Sequence, residues 1–221
     1  MTLHILVEGA SERAFLSRWA GRLLKAHPIR IHPHQGKGRL PTDLAARPDP
    51  RRRGLLDQLP ATLRGFASSS QPHHVVVLVD ADDDDPSALS SAIAKAAHAV
   101  APALEVVVRV AVEETEAFYL GDLNALARAY PEADMALASS YEPDSVCGTW
   151  ELFARVIGDG GENKTAWAEA MGQVVTTAPR RSRSPSFRSL ATALVELLPP
   201  VPAAAQKRRS WRHVARTNRR R

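Results

Sequence analysis

The chain has 221 residues, 44% of them hydrophobic and 24% charged, a balance that excludes a disordered chain and suits one domain with a substantial core. Its formal net charge of +5 hides an asymmetry: no acid follows Glu196, while Lys207, Arg208, Arg209, Arg212, Arg216, Arg219, Arg220 and Arg221 crowd the C-terminus, a tail of the kind that binds nucleic acid. Cys147 is the only cysteine, so no intramolecular disulfide forms and a reducing cytoplasm fits; no basic leader and no apolar run near the ~18–20 residues of a membrane span is present, so no membrane association is expected.

The first strand is expected over Leu3 to Val7. Ser11 can cap a helix from Glu12 to about Ala26, with Phe15, Leu16, Trp19, Leu23 and Leu24 on one apolar face. Ile29 to His34 is a short strand, and Gln35-Gly36-Lys37-Gly38-Arg39 is a loop. Arg47 to Gly54 is exposed and turn-rich. A helix over Leu55 to Phe66 is interrupted or restarted by Pro60. Val75 to Val79 is the central strand, and Asp85 with Pro86 caps a helix to about Val100. Glu105 to Val112 is a further strand, followed by a helix through about Tyr119 to Ala129. Helices over Thr149 to Ile157, Lys164 to Met171 and Ser186 to Leu198 complete the body. Alternating strands and helices argue for an α/β fold: a mostly parallel, Rossmann-like sheet with flanking helices and a helical C-terminal part. The domain spans 1–198, and 199–221 is a proline-containing linker with the basic tail.

Three apolar runs end in carboxylates: Ile5 to Val7 at Glu8, Val75 to Val79 at Asp80-Ala81-Asp82, and Val106 to Val112 at Glu113-Glu114-Thr115-Glu116. In an open α/β sheet the ligand site lies beyond the carboxyl ends of the strands, so these acids can converge. Clustered carboxylates repel unless a cation sits among them, and Mg²⁺ (or Mn²⁺) is the hard cation for oxygen ligands. If the chain stays extended, Asp80 and Asp82 share a face and both reach one metal. Glu8 is a third ligand or an acid/base group. Glu113 and Glu116 are further ligands if a helix starts early, since positions three apart share a helical face.

Basic candidates accompany the acids. Lys37 and Arg39 lie in a glycine-flanked loop suited to a phosphate, although no P-loop motif is present. Lys164 opens a helix after Gly160-Gly161 and is a candidate for stabilising transition-state charge. Arg180, Arg181 and Arg183 precede a helix N-terminus that suits phosphate. Together with Lys207, Arg208, Arg209 and Arg212, the residues Lys37, Arg39, Arg181 and Arg183 form the candidate nucleic-acid-binding set. Tyr119 and Tyr130 sit in packing contexts, so water is the simpler nucleophile. A haloacid-dehalogenase-like phosphatase also uses Asp-x-Asp after a strand, but the later Asp pair it needs is missing.

Leu6-Val7-Glu8-Gly9 with Ser11-Glu12, then Val79-Asp80-Ala81-Asp82, resembles the Toprim domain of topoisomerases, primases and overcoming-lysogenization-defect nucleases. Gln35 to Leu40, Val110 to Asp122, Ala129-Tyr130-Pro131, Thr149-Trp150-Glu151 and Arg181 to Phe187 resemble a bacterial Toprim-like family, domain-of-unknown-function family 4276, over about residues 1 to 198. Phe118 stands where that family usually carries Trp. The resemblance implies that Glu8 is an acid/base group or metal ligand and that Asp80 and Asp82 hold Mg²⁺. It also implies an ABC-type ATPase partner and an anti-phage nuclease role. The expected function is therefore Mg²⁺-dependent cleavage of DNA or RNA phosphodiesters, the alternative a non-catalytic nucleic-acid-binding or sensor subunit.

Overall fold

The computed structural model describes residues 1–25, 27–145, 148–161 and 163–198. Four strands, β1 (Thr2–Val7), β2 (Ile29–Pro33), β3 (His73–Asp80) and β4 (Glu105–Ala111), form one sheet in the order β2-β1-β3-β4. Every pair is parallel, with Leu3 beside Ile29 and His74, and Val76 beside Val107. Helices α1 (Ala10–Leu23), α2 (Leu55–Ala67) and α3 (Pro86–Val100) connect them. After β4 come α4 (Glu116–Leu120), α5 (Leu123–Ala129), α6 (Met135–Ser140), α7 (Thr149–Ile157), α8 (Lys164–Val174), a short 3-10 turn at Pro179–Arg181, and α9 (Pro185–Leu197). Among the described residues no helix is long and apolar enough to cross a membrane.

Strand alternation divides the core. Leu3, Ile5, Val7, Val76 and Leu78 face α1 and the C-terminal helices, whereas Leu6, Val75, Val77 and Val79 face α2 and α3. Covering both faces is what a parallel sheet requires, and it explains the near-continuous apolar runs of β1 and β3. Side chains of α1 tie it to α8 and the residues just after it: Trp19 donates to the Thr176 carbonyl, and Arg22 to the carbonyls of Gly172 and Val175.

Several local expectations change. Ser11 does not cap α1; the cap position is Gly9, and the Ser11 hydroxyl donates to Glu12. The helix ends at Leu23, and Ala26 lies outside the described residues. Pro60 sits within a continuous α2, where its missing N–H forfeits the bond to Leu56 and its ring crowds that carbonyl. The helix expected over 119–129 is two helices, because the Asp122 carboxylate caps α5 at Ala125 N and also accepts from Thr176 N. The caps at Asp85 and Ser184 form as expected, accepting from Ala88 N and Phe187 N.

The loop after β2 returns to its own start. Gly38 has φ +68°, and a Cβ there would lie 2.2 Å from Asp57 Oδ2; a Cβ on Gly54 would lie 2.5 Å from Gly38 Cα. The loop carbonyls of Gly36 and Lys37 accept the first N–H groups of α2, Leu55 and Leu56, which have no acceptor within the helix. Gly38→Ala is expected to destabilise by about 1–3 kcal/mol through left-handed strain and overpacking, read as a fall in chemical-denaturation midpoint. An unchanged midpoint would refute the close approach.

On the α2 side, His4 on β1 links two neighbours: Nδ1 lies 2.9 Å from His32 Nε2 and Nε2 lies 3.1 Å from His73 Nδ1, with Phe66 packed over the group. Burial, then the charges of His32, His73 and Arg30, lowers His4 to about 4. An unfolded His4 takes a proton near pH 6.5 and the folded one does not until about 4. This group therefore withdraws stability as pH falls through that window. His4→Phe is expected to flatten the fall in melting temperature between pH 6.5 and 4; parallel curves for wild type and variant would reject this.

Candidate active site

β1 and β3 are neighbours at the centre of the sheet and end at the same edge. Glu8 follows β1 directly, and its Oε1 accepts the Asp80 N–H at 2.8 Å. Asp80 closes β3. Its Oδ1 is buried, with no hydrogen-bond partner among the described residues. Glu12, on the first turn of α1, and Glu116, which opens α4, are 7% and 4% exposed. Thr115 Oγ1 lies 3.5 Å from Glu12 Oε1, tying the two segments.

Electrostatics define this cluster. Burial raises Glu8 to about 7; the Asp80 N–H opposes that, the charges of Asp82 and Glu12 add to it, and Lys37 opposes it. Burial also raises Glu116 to about 7, against Lys164 and with Glu114 and Glu12. Asp80 is pushed well above the usual carboxylate range by burial first, then by Glu12, Glu8, Glu116 and Asp82. The Tyr119 hydroxyl, buried and without a partner among the described residues, is raised by burial and then by Glu116, Glu12 and Asp80. Burial and the neighbouring negative charges together favour the neutral forms of Asp80, Glu8 and Glu116, which a cation would reverse.

The chain does not stay extended past Asp80. Asp82 adopts φ +49°, the Asp84 N–H closes a turn on the Ala81 carbonyl, and Asp82 N bonds Glu113 O. Asp80 therefore turns inward, while the half-exposed Asp82 turns to Lys37. The two carboxylates do not project as an extended pair, because the turn intervenes.

Lys37 is not extended toward solvent. Its Nζ lies 2.7 Å from Asp82 Oδ2 and 2.8 Å from Asp84 Oδ2, and it donates to the carbonyls of Asp80 at 3.3 Å and Ala81 at 3.0 Å. Burial lowers its pKa, but the bonds to Asp82 and Asp84 outweigh this and the net shift is upward. An ammonium thus serves as the internal cation of the turn.

The β4 acids diverge. The strand ends at Ala111, and Glu113 takes a left-handed φ of +71°. Its Oε2 accepts from Thr149 and Tyr141 at 2.8 and 3.1 Å, while its Oε1 is buried without a partner among the described residues. Burial raises its pKa, with Thr149 and Tyr141 opposing. Glu114 accepts from Trp150 N. Asp82, Glu113, Glu114, Trp150 and Glu151 line a cleft of about 160 Å³. Lys164 opens α8 and holds its Nζ 4.1 Å from the Trp150 ring centroid.

The other basic candidates separate. Arg39 and Arg181 are exposed. Arg183 turns inward and donates to the Tyr141 carbonyl at 2.6 Å. Lys207, Arg208, Arg209 and Arg212 lie outside the described residues, as does Cys147.

An all-oxygen set of carboxylates is the donor chemistry of Mg²⁺ or Mn²⁺, and the orphaned Asp80 oxygen with its raised neighbours fits such an ion. Among the described residues, no three His, Cys, Asp or Glu side chains form a ready-made ligand group. Glu12, expected only to open the first helix, was not among the candidate site residues. Its signal was position: the first turn after a parallel strand lies at the carboxyl edge of the sheet.

A parallel α/β sheet with half-buried carboxylates at the ends of its two central strands defines an α/β domain with an acidic strand-end site. The chain belongs to the family described as Domain of unknown function (DUF4276), whose model matches residues 7–195. No curated protein and no solved structure matches it.

Proposed function

We propose that the chain is a Mg²⁺- or Mn²⁺-dependent Toprim-like nuclease that hydrolyses nucleic-acid phosphodiesters. The observation that carries this is the buried Asp80 oxygen, without a hydrogen-bond partner among the described residues, beside Glu8, Glu12 and Glu116. Glu8, Asp80 and Glu116 would hold the ion, with Glu12 beside them. When bound, the ion neutralises phosphate charge and activates water. Glu8 sits near 7 without the ion; it would serve either as a ligand or, if the ion is held by the other acids, as a general acid–base group. Tyr119 is fully buried, which favours water over a tyrosine nucleophile. Lys164 brings positive charge toward Glu114 and Glu116 and supplies it near the cleft.

The resemblance at Glu8, Asp80 and Asp82 extends the proposal to an ABC-type ATPase partner and an anti-phage role. The test is incubation of the full chain with linear and plasmid DNA and with RNA, with Mg²⁺ or Mn²⁺, with and without an ATPase encoded beside it. Metal-dependent cleavage lost in Glu8→Gln is expected. No cleavage under any of these conditions, or cleavage unaffected by Glu8→Gln, would sink the proposal. The second reading, a non-catalytic sensor, draws on Lys37 already neutralising Asp82 and Asp84. Full biological activity of the Asp80→Asn protein would favour it.

A further inference from the structure

The loop between Gly38 and Gly54 carries five arginines, Arg39, Arg47, Arg51, Arg52 and Arg53, all exposed, against two acids. Those acids are used locally: Asp43 accepts from Ala45 N and Asp49 from Arg51 N, both at 2.9 Å, as turn caps. The guanidinium groups of Arg39, Arg47, Arg51 and Arg52 have no ion pair or hydrogen bond among the described residues. Arg53 reaches only the Pro50 carbonyl. The positive charge is therefore uncompensated within the loop.

The scaffold beneath it is fixed by its backbone. Arg64 of α2 donates to the carbonyls of Leu44 and Ala46, and Gln58 to that of Arg52. Gly38 and Gly54 pinch the two ends together, the geometry of a compact Ω-loop. A hollow of about 170 Å³ between loop and α2 is bordered by Arg47 and Arg52.

The pinched end abuts the acidic site. Gln35 N bonds Arg53 O at 3.0 Å, and the next residue, Gly36, bonds Glu8 O at 2.9 Å. The Gln35-Gly36 segment therefore bridges the arginine-bearing end of the loop and the Glu8 backbone through two successive N–H groups. The other surface chemistry is unsuited to an apolar partner: Met1 is the only large hydrophobic residue exposed among the described residues. Guanidinium forks match phosphate geometry.

We propose that the loop of residues 39–53 is a backbone-phosphate guide that holds a nucleic-acid strand beside the Glu8–Asp80 site. This rests on the nuclease reading above and adds the surface that receives the strand. The contacts are to phosphates and carry no sequence preference.

The test uses the full chain and two triple variants at Arg47, Arg51 and Arg52, one all Gln and one all Lys. None of these three side chains makes a hydrogen bond or ion pair among the described residues, and melting curves confirm folding. Binding to single-stranded DNA, duplex DNA and RNA of equal length is measured against salt, in Ca²⁺ to suppress turnover, with anionic phospholipid vesicles as a fourth arm. The Gln variant is expected to bind nucleic acid at least tenfold more weakly. Its slope of log K on log salt should be shallower by about 2.7, from roughly 0.9 per lost contact. The Lys variant should keep most of the slope. The strand type most weakened identifies the guided substrate. Equal binding and slope in wild type and Gln variant, with metal-dependent cleavage intact, would overturn the guide and leave the nuclease reading standing. No nucleic-acid binding by wild type, or binding to vesicles alone, would overturn both.

Discussion

Asp80→Asn is expected to raise the melting temperature in metal-free buffer and to abolish metal-dependent cleavage. The variant keeps the shape of the side chain and cannot take on the charge that burial and four neighbouring acids disfavour. Asn stays polar at the same position, so the gain comes from the relieved repulsion among the acids alone, and a protein of this size shifts by roughly 2–4 °C per kcal/mol. The pH dependence has a definite sign. Glu8 and Glu116 each sit at about 7 in the fold, above the 4.5 of the free side chain. Their contribution to stability is fully present below 4.5 and is lost as pH rises through 7. Mg²⁺ should reverse that loss, so it stabilises wild type more at pH 8 than at pH 6. At a hundredfold excess over Kd the gain is about 2.7 kcal/mol. Asp80→Asn should show little of it. A lowered metal-free melting temperature together with a wild-type response to Mg²⁺ would remove Asp80 from the site.

Lys37→Met should act in the opposite direction. Methionine keeps an unbranched stem but takes the ammonium from four oxygens: two carboxylates and the carbonyls of Asp80 and Ala81. Asp82 and Asp84 are half exposed, so water screens their share and those ion pairs count for little. The less exposed carbonyl bonds carry most of the loss, about 1–3 kcal/mol, and the melting temperature falls in metal-free buffer by roughly 2–4 °C per kcal/mol. Mg²⁺ should then recover more stability than in wild type, because a divalent ion can replace the ammonium beside Asp82. Lys37→Arg should not restore the wild-type state, since a planar fork cannot converge on four oxygens as a compact ammonium does. An unchanged melting temperature, or a wild-type Mg²⁺ response in Lys37→Met, would show that the turn holds itself.

The strands were legible because β1 and β3 are apolar on both faces, which only a covered parallel sheet accommodates. Asp85-Pro86 and Ser184-Pro185 were legible because a cap followed by proline is local chemistry. The break at Gly121-Asp122 was not, because Asp122 is recruited by Thr176, far along the chain. The site divides in the same way. Glu8 and Asp80 are marked by the apolar runs they end. Glu12 is hidden, since an acid in a first helical turn is common for electrostatic reasons alone.

The sequence by itself determined the parallel α/β architecture and which strand ends carry carboxylates, because burial periodicity and strand-end position are properties of short segments. Only the tertiary structure decided how those carboxylates are used. It turned Asp80 inward beside Glu8, Glu12 and Glu116, sent Asp82 outward to Lys37, and bent Glu113 toward Tyr141 and Thr149. The reason is that a left-handed residue, a lysine from the loop after β2 and hydroxyls from helices beyond β4 set those directions, and each acts across a long stretch of chain.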